Sequence, residues 1–444
     1  MRRRLVRGLA WCGAMAVLYV AFHLRSPYLL VWRPVETAAL LLACAVGIAV
    51  AVRRLRTRRL GPLEGGLLVG VLAVAFAAAG VGEVGYRLER RAVLADGDAR
   101  ALGRHFMVGY RDFDEVAMLA QRGLIGGVYL SRANVHGRSG AEIRAEVDRL
   151  QALRRRAGLP PLLVAADQEG GSVAHMTPPL AALPPLAQLV EDAQDGTGLD
   201  ARVRAYGATQ GCGLAALGVN LNFGPVADLR PSGRGPLIDT HTLIRRRAIA
   251  ADPAVVERVV AAYDAALLAQ GVRPTLKHFP GLGRVATDTH HFPGRIDEPV
   301  ARLAAADWRP FRTAVKDGAA MMLGHVVVPE IDPDMPASLS GAVVRGLLRG
   351  EWGFDGLLVT DDLNMGAVFR RGIGTAAAEA LEAGVDMVLV AYDPDQYYRA
   401  MFGAMEALRG GKLDAAQLAA GDRRIAAAVP PMRSCASRPW PGRT

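Results

Sequence analysis

Apolar positions along this chain fall into two regimes. Up to about residue 90 they come in long runs, Gly8–Leu24, Val35–Val52 and Leu67–Val84, with single acids, Glu36 and Glu83, at the run edges. Each run approaches the ~20 apolar residues that cross a bilayer as a helix. The pattern predicts three transmembrane helices, a membrane anchor over residues 1–90. A cleaved signal peptide is the alternative for the first run, since Arg2, Arg3, Arg4 and Arg7 precede it.

Beyond residue 100 the apolar runs are short and β-like: Phe106–Val108, Gly127–Leu130, Leu162–Ala166, Val219–Phe223, Pro274–Lys277, Met321–Gly324, Leu357–Thr360 and Met387–Val390. Helix-like segments lie between them, among them Gly140–Ala157, Ala201–Leu217, Pro253–Gln270, Pro299–Asp317, Ser340–Trp352 and Gly374–Ala383. Eight strands, each followed by a helix, fit an α/β fold of the (β/α)8 TIM-barrel type over residues 96–428. A doubly wound open sheet is the competitor, but no GxGxxG follows the first strand. Residues 429–444, rich in Pro, Arg and Ser, read as a disordered tail. Polar residues gather just after strand ends, as Asp167-Gln168-Glu169, Lys277-His278, His325 and Asp361-Asp362. In a barrel those ends converge on one face, where active sites sit.

Charge locates the partners. The net charge of +10 would suggest a nucleic-acid binder, but residues 1–95 hold 14 Arg, no Lys and 4 Glu, which is the whole excess. The remainder carries 39 basic and 39 acidic residues, so no nucleic-acid partner is expected. Four Arg before the first run and five in Arg53–Arg59 outnumber those of the loops Arg25–Pro34 and Arg87–Arg91. The positive-inside rule then puts the first two in the cytoplasm and everything after the third span outside, on a cell membrane whose bilayer is a partner. Four cysteines, Cys12, Cys44, Cys212 and Cys435, are too few and too scattered for a disulfide scaffold or a CxxC metal site.

Two stretches carry candidate chemistry. In Lys277-His278-Phe279-Pro280-Gly281-Leu282-Gly283, followed by Asp288-Thr289-His290-His291, a cation and an imidazole end a strand. A Gly/Pro-rich loop follows, with a carboxylate two residues before a second imidazole. That spacing lets Asp288 orient His290 and raise its basicity for acid–base work. Three of the chain's nine His fall within fifteen residues, which weighs against solvated loop histidines. His291 is taken as solvated. In Asp361-Asp362 adjacent carboxylates follow an apolar run and need donors, or one must protonate. Asp362 is expected to cap the next helix; Asp361 is a natural nucleophile toward an anomeric carbon. His278, Asp288, His290, His291 and His325 are conceivable zinc ligands, yet no HxH or HExxH spacing occurs and Lys277 would repel a cation; no metal or other cofactor is expected.

These elements resemble family 3 glycoside hydrolases, in the branch of β-N-acetylhexosaminidases. Lys277–Gly283 with Asp288-Thr289-His290 is similar to the family's KHFPGxG…D(S/T)H element. Asp167–Gly171 resembles DQEGG, Asn222–Asp228 resembles NFAPVxD, and Arg247 before Asp252-Pro253 resembles IxxRxFxxDP. Pro336–Ser340, Gly353–Gly356, Thr360–Met365 and Ala383–Met387 follow in family order, and the match covers nearly all of residues 100–425. The resemblance implies Asp361 as catalytic nucleophile and Asp288 with His290 as the acid–base dyad. It implies Asp167, Arg247, Lys277 and His278 as binders of the sugar hydroxyls, with Lys277 or Arg247 lowering the pKa of Asp361. Ser172 and His175 stand where the family has basic residues, Arg245 and Ile249 replace its Gly and Phe, and Arg230–Leu243 departs from its pattern. The implied activity is a retaining exo-β-N-acetylglucosaminidase acting on β-linked GlcNAc of peptidoglycan or its fragments, a carbohydrate substrate. A β-glucosidase or β-xylosidase of the same family, or a weakly catalytic sugar-binding receptor, are the alternatives. With no room for a second domain after the barrel, the acid must come from a barrel loop.

Overall fold

A computed structural model of the chain describes residues 2–193, 197–231 and 241–430. The expected tail lies, from residue 431, outside the described residues, as does most of Arg230–Leu243. The chain divides into two compact units, Met1–Ala95 and Asp96–Thr444.

The first unit holds three helices, Arg2–Phe22, Glu36–Arg56 and Pro62–Ala95, all long and apolar enough to cross a membrane. Small side chains let them pack: Ala21, Cys44, Ala75 and Ala79 are buried together. The acids at the run edges are not bare. The Arg25 guanidinium donates to Glu83 at 2.9 Å and its backbone N–H to Glu36, while Thr37 donates its hydroxyl to Glu83. Arg33 pairs with Glu36 at 3.1 Å, and Arg25 also lies 3.6 Å from the Tyr86 ring centroid. Pairing of this kind is what makes carboxylates tolerable beside an apolar layer.

The second unit is built on eight parallel strands: β1 Phe106–Gly109, β2 Gly127–Leu130, β3 Leu163–Ala166, β4 Leu221–Asn222, β5 Arg273–Phe279, β6 Ala320–Leu323, β7 Leu358–Thr360 and β8 Val388–Val390. They pair in the order β7-β6-β5-β4-β3-β2-β1-β8. A parallel bridge, Val359 to Met387, joins the two edges and nearly closes the sheet into a barrel. Every strand falls on one of the short apolar runs, with ends shifted by two residues at most. Alternate residues point inward, so Met107, Leu163, Ala165, Ala320, Met322, Val359 and Leu389 share one buried cluster.

Helices form between the strands where the sequence sets both ends. Asp112 accepts the N–H groups of Asp114 and Glu115 to start Phe113–Arg122, and Gly123 at φ 75° ends it. Ser139 and Glu142 make a capping box on Gly140–Arg156. Two expected helices differ. Pro299–Asp317 breaks into Val300–Ala305, a 3-10 turn Pro310–Arg312 and Thr313–Asp317, since Pro310 has no N–H to continue a helix. Ala342–Glu351 is a wide π-type helix. Two small sheets beyond the strand ends were not anticipated: the hairpin Gln168–Gly170 with Val173–Ala174, and the trio Gly294–Arg295, Val326–Val328 and Asp332–Pro336. At the opposite face of the barrel, Asp386 pairs with Arg349 at 2.6 Å and Arg424 at 3.2 Å, a stabilising contact remote from the strand ends.

Candidate active site

Two strand ends and one short turn supply a buried ion network. Asp167 follows β3 directly, Glu169 sits in the hairpin beyond it, and Lys277 lies two residues before the end of β5. Lys277 Nζ bridges Asp167 and Glu169, at 2.6 Å from Glu169 Oε1. Arg247, from the short turn Ile244–Arg247, forks onto both Glu169 oxygens at 2.6 and 2.9 Å. The fork matches the carboxylate geometry and explains why an arginine stands there. Burial alone would raise the Glu169 carboxyl, but Arg247 and Lys277 hold it down at about 2. Burial is likewise overridden at Asp167, where Lys277, His175 and the Tyr129 hydroxyl keep the carboxyl well below its ordinary value. Lys277 in turn is raised, against burial, by Asp167 and Glu169. Tyr129 donates to Asp167 at 2.6 Å, and its oxygen lies 2.9 Å from His175 Nδ1.

His278 is held by Asp228, a fully buried residue after β4. The carboxylate accepts the His278 ring Nδ1–H at 2.8 Å, the His278 backbone N–H at 3.1 Å and the Leu282 N–H at 2.8 Å. This partner assigns the Nδ1–H tautomer and leaves Nε2 as an acceptor, 3.4 Å from Arg247 Nη2.

The loop after β5 is fastened at several points. A Cβ at Gly283 would stand 2.2 Å from the Leu229 carbonyl oxygen, so only glycine passes there. Gly294–Arg295 pairs in parallel with Val326–Val327, and the Gly366 N–H donates to the His290 carbonyl at 2.7 Å. This last bond ties the His290 loop to the segment that follows Asp361.

Within the loop, Asp288 Oδ1 accepts the His290 backbone N–H at 3.0 Å and the Thr242 hydroxyl at 2.8 Å, and it lies 3.0 Å from His290 Nδ1. Burial would raise Asp288; the bonds from His290 and Thr242 outweigh it and hold the carboxyl far below its usual range. His290 Nε2 has no hydrogen-bond partner among the described residues. The imidazole is thus backed by an anion at one nitrogen and open at the other, the arrangement of a general acid–base.

Asp361 and Asp362 follow β7 with different surroundings. Asp361 Oδ1 accepts the Asp362 N–H at 2.8 Å, and its second oxygen is unpartnered among the described residues. Burial favours its neutral form, but the neighbouring imidazoles of His278, His325 and His290, with the Asp362 N–H, hold it below its ordinary value. Lys277 and Arg247, expected to serve that purpose, are instead committed to Asp167 and Glu169. Asp362 caps no helix. It accepts backbone N–H groups from Asn364, Ala391 and Tyr392 at 2.7–3.1 Å, bracing the β7 end against the β8 end. Burial pushes it up to about 6 despite those donors. His325, fully buried, is taken up by Ser338 at 2.7 Å and the Asp362 carbonyl at 3.0 Å.

The residues singled out from the sequence therefore fall into three neighbouring sets: Asp167, Lys277 and Arg247; His278; and Asp288, His290 and Asp361. Glu169, Asp228, Thr242 and Tyr129 were not singled out. Glu169 and Asp228 lie in motifs already quoted and were within reach. Thr242 and Tyr129 carry no sequence signal, since only folding brings them to Asp288 and Asp167. His291 is not merely solvated: its Nε2 lies 3.2 Å from His241 Nδ1.

A barrel mouth with ion-paired donors, a carboxylate oxygen left open and an anion-backed imidazole has the equipment of a hydrolase for polyhydroxylated substrates. Residues 100–428 match the model for the glycosyl hydrolase family 3 N-terminal domain, and the chain belongs to that family. It is a glycosidase. It is similar to a beta-hexosaminidase of Xanthomonas oryzae pv. oryzae, 36% identical over 301 residues, covering 67% of this chain and 84% of the relative. Among solved structures it resembles a glycoside hydrolase family 3 beta-N-acetylglucosaminidase from Paenibacillus, with a TM-score of 0.67 and 30% identity over 74% of this chain and 61% of that one. A beta-N-acetylhexosaminidase from Beutenbergia cavernae gives a TM-score of 0.65 and 32% identity, over 75% and 98% of the two chains.

Proposed function

We propose that this protein is a retaining, exo-acting β-N-acetylglucosaminidase, anchored in the cell membrane by its three N-terminal helices with the barrel outside the cytoplasm. Its substrate is terminal β-linked GlcNAc of peptidoglycan or its fragments. The observation that carries the reading is the pairing of an open Asp361 oxygen with an open His290 Nε2, on segments joined by the Gly366 to His290 hydrogen bond. Asp361 attacks the anomeric carbon while His290, steadied by Asp288, protonates the leaving oxygen. Water then attacks the glycosyl-enzyme as His290 takes its proton. Asp167, Lys277, Arg247 and His278 supply the acceptors and donors that hydroxyl groups and an acetamide need. The relatives' names support GlcNAc as the sugar, and the arginine bias of the anchor loops supports the outward orientation.

The test is a panel of aryl β-GlcNAc, β-glucoside and β-xyloside substrates given to the purified protein, with the first-formed anomer followed by NMR. Turnover confined to the GlcNAc substrate with a β product is expected. A preferred glucoside, or an α product, would remove the reading. For the orientation, a reporter active only outside the cytoplasm, fused after residue 425, should be active; a silent one would overturn the topology.

A further inference from the structure

Beside the dyad stand two imidazoles that the proposed reaction does not use. His241 precedes the Ile244–Arg247 turn, and His291 follows His290. With Asp288 they bring two imidazole nitrogens and one carboxylate oxygen within 4.8 Å of one another. We propose that His241, His291 and Asp288 bind a divalent transition-metal ion of the zinc class.

The separations support this. His291 Nε2 lies 3.2 Å from His241 Nδ1, and His241 Nδ1 lies 3.8 Å from Asp288 Oδ2. Bonds of about 2.0–2.2 Å in a tetrahedral zinc site place neighbouring ligand atoms roughly 3.3 Å apart. The first distance is already there, the second needs a shift of about half an ångström, and the His291 to Asp288 pair, within 4.8 Å, must close by at most about 1.5 Å. The scaffold is also set without the ion. Asp288 Oδ2 accepts the His241 backbone N–H at 3.1 Å, Thr242 fastens Oδ1, and the His291 N–H donates to the Asp288 carbonyl at 3.0 Å. Asp288 is almost fully buried, whereas the His241 side chain is 55% exposed, which leaves a route in for an ion. Two imidazoles with one carboxylate select Zn2+, Co2+ or Ni2+ over Mg2+ and Ca2+. Without metal, two ring nitrogens at 3.2 Å must share a proton; a cation replaces that proton.

The experiment uses the full-length protein in detergent after chelator treatment. Calorimetric titration with ZnCl2 should show one equivalent bound, and CoCl2 should give a visible absorption band of tetrahedral intensity. His241→Gln and His291→Gln, on separate segments, should each weaken Zn2+ binding at least tenfold and remove the cobalt band. Both should keep the wild-type melting temperature and metal-free turnover. Wild-type binding no tighter than that of the double variant His241→Gln/His291→Gln, or Mg2+ binding as tight as Zn2+, would overturn the proposal. The binding arm reads the site even in a protein inert toward every aryl glycoside, so its failure is separable from failure of the proposed activity.

Discussion

Replacing Asp228 by Asn exchanges one carboxylate oxygen for an amide NH2 and reaches the sugar site through a tautomer. In the native protein Asp228 Oδ2 accepts from His278 Nδ1, so Nε2 is the acceptor that faces Arg247 Nη2. The Asn amide now donates toward Nδ1, and the proton must move to Nε2. Nε2–H then opposes a guanidinium N–H 3.4 Å away and offers a sugar hydroxyl the wrong partner. A hydrogen bond to a charged group contributes about 1.5–3 kcal/mol. At 1.4 kcal/mol per decade, kcat/KM should fall roughly 10- to 150-fold. Stability should fall less, by about 1 kcal/mol, because Oδ1 keeps the Leu282 and His278 N–H groups. Asp228→Ala, in contrast, strands three buried donors and should lower stability by about 3 kcal/mol or more. Steady-state kinetics on aryl β-GlcNAc and urea unfolding measure the two effects. An Asp228→Asn protein with wild-type kcat/KM would refute the tautomer argument. One as unstable as Asp228→Ala would show that Asp228 is a brace and nothing more.

Three further outcomes are expected. Asp361→Asn should abolish turnover and glycosyl-enzyme trapping, read by intact-protein mass spectrometry, while Asp362→Asn should keep measurable activity and lose about 1–3 kcal/mol of stability; the reverse pattern would move the nucleophile by one residue. His290→Ala should slow a natural disaccharide far more than an activated aryl glycoside in the glycosylation step, with Asp288→Asn weaker in the same direction; equal losses would make His290 a binder of substrate. The third concerns pH. The Glu169 carboxyl, held at about 2 in the folded protein, contributes stability that is present above its unfolded pKa near 4.5 and is lost as pH falls toward 2. Asp362, raised to about 6, has the opposite sign: its contribution declines as pH rises from about 4 to 6. Urea unfolding from pH 2 to 7 should show Glu169→Gln flattening the acid limb, and an unchanged acid limb would exclude Glu169 as its source.

The eight strands and the three apolar helices are determined locally, and so the chain by itself displays them. A strand buried on both faces must be a short β-branched and aliphatic run, and a bilayer-length helix must be a long charge-poor one. The same holds for Lys277, His278 and the Asp361-Asp362 pair, because strand ends mark the barrel face on which they meet. Asp288 and His290 are two residues apart, so their contact too is set by short-range geometry. What only the tertiary structure decided is which charge answers which. Glu169 and Arg247 are 78 residues apart, and their bidentate pairing takes Arg247 away from Asp361. Asp228 reaches His278 across 50 residues, and Asp362 finds its donors at Ala391 and Tyr392 on the neighbouring strand end rather than on the next helix. Electrostatic partnership acts through space at a few ångströms, and spacing along a chain carries no information about it once a barrel has brought eight strand ends together.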